Sequence, residues 1–331
     1  MAWISAREGC STDKINLEQI SKMTCTSKAT VSRALNHCPG VDPCTRVRIQ
    51  GAARAAGYRM PKKLPAQAGL ILPTLPVYFW DEMRRGVESV FIENGQPCRT
   101  ALYSSLYGTE ELLSCIATVS ADCPKILLIA APTSERIQKR LAKMAEQMVV
   151  FLIGEFLDIK NTFYFGQNAC QDGYALARAY FEKRNDRNKI LLIETTENCV
   201  STSRTEGFLC YMEEQGFEPV GRINVRKSGR AFAAQLAREL ASVSQDFNCV
   251  YGSDGILSDL CLAIQKLKRT DTVTCIGFEA VPQRYASLVS ATVVQDVYAQ
   301  GRAAASAAIE YLQKDVLPGT KMNYIASKII F

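Results

Sequence analysis

Between Ile15 and Tyr58 the apolar positions recur every three or four residues in three short runs separated by polar breaks. The stretch INLEQISKMTCTSKATVSRALN predicts two short helices split at Thr24-Cys25-Thr26, and a third opens at Asp42-Pro43 and closes at Gly57-Tyr58. Asn16 is placed to accept from the amide three residues on and Gln19 to reach back to the amide of Asn16, while Ile15 can pack over Ile20. Ser27 offers a second N-cap, after which Val31, Ala34 and Leu35 face Ile20 and Met23. Ile49, Ala52, Ala53 and Ala56 make the inner face of the third helix, where Pro43 sits at a first position that needs no N–H. Two short helices, a tight break and a third helix form the order of a helix-turn-helix, whose second helix enters the major groove of DNA.

The outward positions of that second helix are Lys28, Ala29, Ser32 and Arg33. Small residues permit close approach, and the two cations can donate to base edges or phosphates. Lys28, Ala29 and Arg33 are expected to choose sequence, and Asn16, Ser27, Thr30, Ser32 and Asn36 to hold phosphates. Up to Lys63 there are eleven Lys and Arg against four acids, a net of +7; the chain totals +6, which leaves −1 for the rest. A basic head on a near-neutral body is the footprint of a dedicated nucleic-acid module rather than of nonspecific attraction.

The run Thr30-Val31-Ser32-Arg33-Ala34-Leu35-Asn36, together with Gly57-Tyr58, resembles the DNA-binding domain of the LacI-type (lactose/galactose repressor) family of bacterial transcription regulators. Cys25 stands where that family usually has Gly, and a left-handed backbone there costs about 1 kcal/mol in Cys relative to Gly. Gly51 inside the third helix adds a similar penalty. The family also carries a hinge helix that inserts a Leu into the minor groove. Here only MPKKLPAQA follows Tyr58, with helix-breaking Pro61 and Pro65, and Leu64 is the one wedge candidate.

From Ala68 onward short apolar runs alternate with amphipathic stretches: AGLILP, a helix from about Asp81 to Asn94, KILLIA, SERIQKRLAKMAEQ, VVFLIG, a helix around Gly173 to Lys183, KILLIE, a helix from about Ser203 to Gln215, CVYGS, a helix from about Ile256 to Leu267, and TVTCIGF. That alternation predicts parallel βαβ units in sheets covered on both faces, with ligands beyond the carboxyl ends of the strands. The order also resembles the sugar-binding-protein-like core of the same regulators, on Phe79-Trp80, Glu82, Arg85-Gly86, Arg204 ahead of Gly207, Ser253-Asp254, Gly277-Phe278-Glu279, and Gln295 ahead of Gly301. The resemblance implies an all-α helix-turn-helix domain over 12–60 and a linker over 61–67. It also implies an α/β periplasmic-binding-protein-like core over 68–331 made of two doubly wound subdomains, one of about 68–166 and 293–315, the other of about 167–290 and 318–331.

Phe79, Trp80, Arg204, Ser253, Asp254, Glu279 and Gln295 are then the expected effector-binding residues. Planar charged groups such as Arg204, Asp254 and Glu279 bond vicinal hydroxyls in pairs, and rings such as Phe79 and Trp80 stack on the C–H faces of a sugar. The same residues also read as core aromatics and as carboxylates satisfied by helix N-termini. Glu279 replaces the family's usual Asp, Ser253 its Asn, and Ala169-Cys170 its Asp-Asn pair, which leaves the effector's identity open.

No apolar run reaches the ~18 to 20 residues of a membrane span, and the start MAWISAREGC lacks an apolar segment of signal-peptide length. The thirteen cysteines are scattered without a C-x-x-C pair. With His37 as the single histidine, this reads as reduced cytoplasmic thiols with no metal site. Phosphate loops and nucleophile motifs are missing, which argues against an enzyme and against any cofactor. The expectation is a cytoplasmic homodimeric regulator, a repressor, that binds double-stranded operator DNA and answers to a small-molecule effector such as a sugar or related polyol. The alternatives are a solute-binding α/β protein and a DNA binder without effector sensing.

Overall fold

The computed structural model describes residues 15–35, 41–58, 66–104, 108–183, 189–195, 199–226 and 231–331. The expectations for Asn36, His37 and Leu64 lie outside these residues. The chain divides into two compact units, Met1–Leu64 and Pro65–Phe331.

In the first unit the helices are α1 (Leu17–Thr24), α2 (Lys28–Leu35) and α3 (Pro43–Ala55). Asn16 and Gln19 close the reciprocal cap at the start of α1, with Asn16 N–H donating to Gln19 Oε1 at 2.8 Å and Gln19 N–H to Asn16 Oδ1 at 3.0 Å. The break turns at Cys25 in the left-handed region, φ 48°. Ser27 Oγ accepts from the Thr30 amide at 3.0 Å, and Asp42 caps α3 through the Thr45 amide at 2.9 Å. Ile20, Val31, Ala34, Leu35, Ile49 and Ala53 form the core, with Ile15, Leu17, Val41 and Tyr58 packed against it. Met23, expected inside, is exposed. Thr24, one position on, is buried in its place and spends its hydroxyl on the Ile20 carbonyl at 2.8 Å, so the inward face follows the four-residue step from Ile20.

Among the described residues the second unit holds two six-stranded sheets. The first is built from β1 (Ala68–Pro73), β2 (Cys98–Tyr103), β3 (Ile126–Ile129), β4 (Val149–Ile153), β5 (Thr162–Gly166) and β11 (Met322–Tyr324), all parallel, in the order β11-β5-β4-β3-β1-β2. Alternate strand residues go to opposite faces. Leu70, Leu72, Leu128 and Phe151 meet α4 (Val77–Glu93) and α11 (Val297–Lys314), while Ile71, Leu127, Ile129 and Leu152 meet α5 (Thr109–Ser120) and α6 (Glu135–Ala145). The second sheet contains β6 (Ile190–Thr195), β7 (Gly221–Val225), β8 (Cys249–Gly252), β9 (Thr274–Phe278), β10 (Val289–Val294) and β12 (Lys328–Ile330) in the order β12-β10-β9-β8-β6-β7, with only β12 antiparallel. Its faces are covered by α7 (Ala169–Lys183) and α8 (Cys199–Glu214) on one side and α9 (Phe232–Ala241) and α10 (Leu257–Lys266) on the other.

The chain passes between the sheets after β5, after β10 and after β11. The lobes therefore divide differently from the expected boundaries near the C-terminus. The expected second subdomain takes in residues of about 318–331, yet β11 pairs with β5 of the first sheet, and only β12 joins the second.

Candidate functional site

Among the described residues, the segments that line the cleft of the second unit follow the carboxyl ends of strands. Pro76 to Trp80 follow β1, Ala130 to Thr133 follow β3, and Gly154-Glu155 follow β4; from the other lobe come Val200 and Arg204 after β6, Asp254-Gly255 after β8 and Glu279 after β9. The first and second crossovers add Gln167 and Gln295. These residues line a cavity of about 560 Å³, and a neighbouring cavity of about 840 Å³ shares Tyr78, Phe79, Gly255, Glu279 and Gln295 and reaches Lys328. Such volumes suit a small organic ligand.

Arg204 is the hub. It is 2% exposed, and its guanidinium lies over the Phe278 ring at 4.0 Å from the centroid. One amino group donates to Gln167 Oε1 at 2.8 Å, and the two terminal nitrogens stand 3.7 Å from Asp254 Oδ1 and Glu279 Oε1. Its position on α8 is fixed from behind. A Cβ added at Gly173 would overlap the Arg204 carbonyl, and one at Gly207 the Cys170 carbonyl, so α7 and α8 cross with backbones in contact.

Glu279 turns into the cleft from a left-handed backbone, φ 73°, held by its amide on the Val293 carbonyl and by the Thr292 hydroxyl on its own carbonyl. Its carboxylate accepts from Gln295 Nε2 at 2.6 Å, and Gln295 in turn accepts from Gln300 at 3.1 Å. Burial pushes the Glu279 carboxyl above the ordinary range, with the Arg204 charge pulling it back. Across the cleft, burial likewise raises Glu155, which accepts from Thr133 Oγ1 at 2.8 Å and from the Cys199 thiol at 3.3 Å. Burial and the adjacent Glu155 together push the Cys199 thiol up to about 11, so it is a donor and not a nucleophile at neutral pH. This contact links the two lobes.

Of the residues expected from sequence, Phe79, Trp80, Arg204, Asp254, Glu279 and Gln295 come together in the cavity. Phe79 and Trp80 meet edge to face at 4.8 Å, and the Trp80 ring lies over Gly154. Ser253 does not join them. It is fully buried, its hydroxyl accepting from the Thr195 amide at 3.0 Å and paired with Ser201 at 2.5 Å, so its side chain braces the start of the loop behind Asp254. Glu155, Thr133, Gln167, Tyr78 and Cys199 were not anticipated. Glu155 carried a usable signal, an acid directly after the strand and glycine of VVFLIG, the same placement that drew attention to Asp254 after CVYGS.

In the first unit, Lys28, Ala29 and Arg33 are exposed on α2, and Ser32 is half-buried. Asn16, Ser27 and Thr30 spend side-chain groups on helix caps. Lys28 Nζ bonds Glu18 Oε2 at 2.8 Å, and the Glu18 carboxyl is held low by that hydrogen bond and charge. Among the described residues no helix is long and apolar enough to cross a membrane, and no group of three or more His, Cys, Asp or Glu is placed to hold a metal.

Two parallel-sheet lobes closing on a cavity at their strand ends define a two-lobed α/β binding protein. Residues 68–315 match the model of the Periplasmic binding protein domain, and the chain belongs to that family. A stretch of 83 residues is 29% identical to catabolite control protein A of Priestia megaterium, covering 23% of this chain and 25% of that relative. Among solved structures, the glucose-galactose binding protein GanP from Geobacillus stearothermophilus superposes with a TM-score of 0.70 at 19% identity, over 80% of this chain and 97% of that one. A LacI family transcriptional regulator from Silicibacter pomeroyi superposes at 0.67 and 21% identity, over 96% and 98%. The lac repressor dimer bound to operator and an anti-inducer gives 0.68 at 14% identity, again over 96% and 98%. At these identities the likeness concerns the fold.

Proposed function

We propose that the protein is a DNA-binding transcription regulator of the LacI type, a cytoplasmic homodimeric repressor. In this reading its two-lobed core binds a small-molecule effector of the sugar or polyol class. The observation that carries it is the reach of the similarity. The second unit makes up only about four-fifths of the chain, so superposition of the regulator and repressor over 96% takes in the helical unit as well, whereas GanP stops at 80%. Within that unit, α2 presents Lys28, Ala29 and Arg33 to solvent from a packed three-helix core, the arrangement a recognition helix needs. Lys28, Ala29 and Arg33 read bases; Asn16, Ser27, Thr30, Ser32 and Asn36 contact phosphates. In the core, the effector lies between Phe79-Trp80 and the Arg204, Asp254, Glu279 and Gln295 group, and its preference for one lobe arrangement over the other changes operator affinity.

A solute-binding role without DNA recognition is the second reading, favoured by the TM-score of 0.70 that the core alone reaches with GanP. Selection of DNA from a random pool with the full chain separates the two: a pseudo-palindromic site is expected, and recovery of no preferred sequence would favour the second. Arg204→Ala should then abolish the effector response while leaving operator binding intact. A variant that still responds at unchanged effector concentration would sink the pocket assignment.

A further inference from the structure

Inside the 560 Å³ cleft the acids outnumber the bases. Glu155 from the first lobe and Asp254 and Glu279 from the second line it, and Arg204 is the one cation among the described lining residues. That cation is already engaged, shared between Asp254 and Glu279 at 3.7 Å each, bonded to Gln167 and stacked on Phe278. The carboxylates also act on one another: burial raises both Glu155 and Glu279, and the Asp254 charge adds to each. Thr133 and Cys199 relieve Glu155 without returning it to the ordinary range.

A neutral polyol would bond the polar side chains of the cleft and leave the surplus negative charge in a poorly solvated site. An ammonium group supplies the missing charge, and the faces of Tyr78, Phe79 and Trp80 suit a cation as well as a sugar ring.

We propose, building on the effector reading above, that the ligand of this cleft is a hydroxylated primary amine of the hexosamine class. Its ammonium faces Glu155, Asp254 and Glu279, and its hydroxyls meet the polar side chains of Thr133, Gln167 and Gln295 that line the same cleft. The positive charge draws the carboxylates of the two lobes toward one centre, which makes charge, rather than hydroxyl pattern alone, the feature that closes the cleft.

Matched pairs isolate the charge. The full chain is titrated calorimetrically with D-glucosamine, D-galactosamine and D-mannosamine, and with the corresponding hexoses and N-acetylated hexosamines, at neutral pH, where much of the amine stays protonated and the raised carboxyls are more fully ionised than in acid. At least one hexosamine should bind about tenfold or more tightly than both of its neutral counterparts, the range expected of a charge-assisted bond. Glu155→Gln should remove most of that preference, read as the ratio of amine to hexose affinity within the same variant. Glu279→Gln is the second variant, and ligand-free unfolding curves establish that both variants are folded. A neutral hexose that binds as well as its amine overturns the proposal and leaves the effector reading standing. Equal binding of putrescine, an amine without hydroxyls, also overturns it. If no compound of either series binds, the proposal falls.

Discussion

Glu279 is a buried carboxyl that holds its proton more tightly in the fold than in water. Burial raises its folded pKa, Arg204 and the Gln295 bond only partly offsetting the loss of water. The stability this confers is fully present below the unfolded carboxylate value of about 4.3 and is lost as the pH rises through the raised folded value. Glu279→Gln keeps the shape and removes the ionisation. It should therefore gain stability relative to wild type as the pH climbs from acidic to neutral, read by urea unfolding of both proteins across that window. A gap that stays constant would show that ionised Glu279 is already compensated. Residues of this kind were legible in part. Arg204, Asp254 and Glu279 stand at strand ends that the apolar runs mark out, so their placement follows from local pattern. Glu155 lies across the cleft from them, and only the folded chain brings it to Cys199. Ser253 shows the converse, since its neighbour Asp254 enters the cavity while its own side chain turns into the lobe toward Thr195 and Ser201.

At the scale of elements, each lobe contains, among the described residues, a pair of helices whose backbones touch through glycine. Gly173 and Gly207 join α7 to α8, and Gly86 and Gly301 join α4 to α11, where a Cβ at Gly301 would overlap the Met83 carbonyl. The sequence offered these glycines beside Arg85, Arg204 and Gln295 but gave no reason for them; the helix crossings supply it. Gly207→Ala should cost about 1 to 3 kcal/mol, because the added methyl meets a backbone carbonyl that cannot rotate away. It should also weaken any ligand held by Arg204, one turn earlier on α8. Unfolding and titration of the same sample check both, and unchanged values would mean that the helices separate without strain. Elements with continuous apolar runs, such as β1, β3 and β6, were readable. The half-buried edge strand β2 was not, because a strand paired on one side keeps polar residues and breaks the pattern. Helix α4 begins at Val77, ahead of the expected Asp81, so Phe79 and Trp80 are carried on its first turn and not on the preceding loop.

For the whole molecule, the proposed function requires that the basic head read sequence. Arg33→Ala should cost about 1 to 3 kcal/mol on the selected operator and much less on random DNA. Both affinities must be measured at one salt concentration, since salt alone shifts them by orders of magnitude. Equal losses on the two DNAs would make Arg33 a phosphate contact. The charge split between head and body needed no fold to be seen, and neither did the caps of α1 and α3 or the alternation of strands and helices. All are set by residues within a few positions of one another. The threefold passage of the chain between the sheets, the transfer of β11 to the first lobe, and the meeting of Glu155 with the Arg204 cluster depend on contacts between residues far apart in sequence. Those contacts are chosen by which apolar faces bury each other, a property of the assembled lobes that local pattern does not carry.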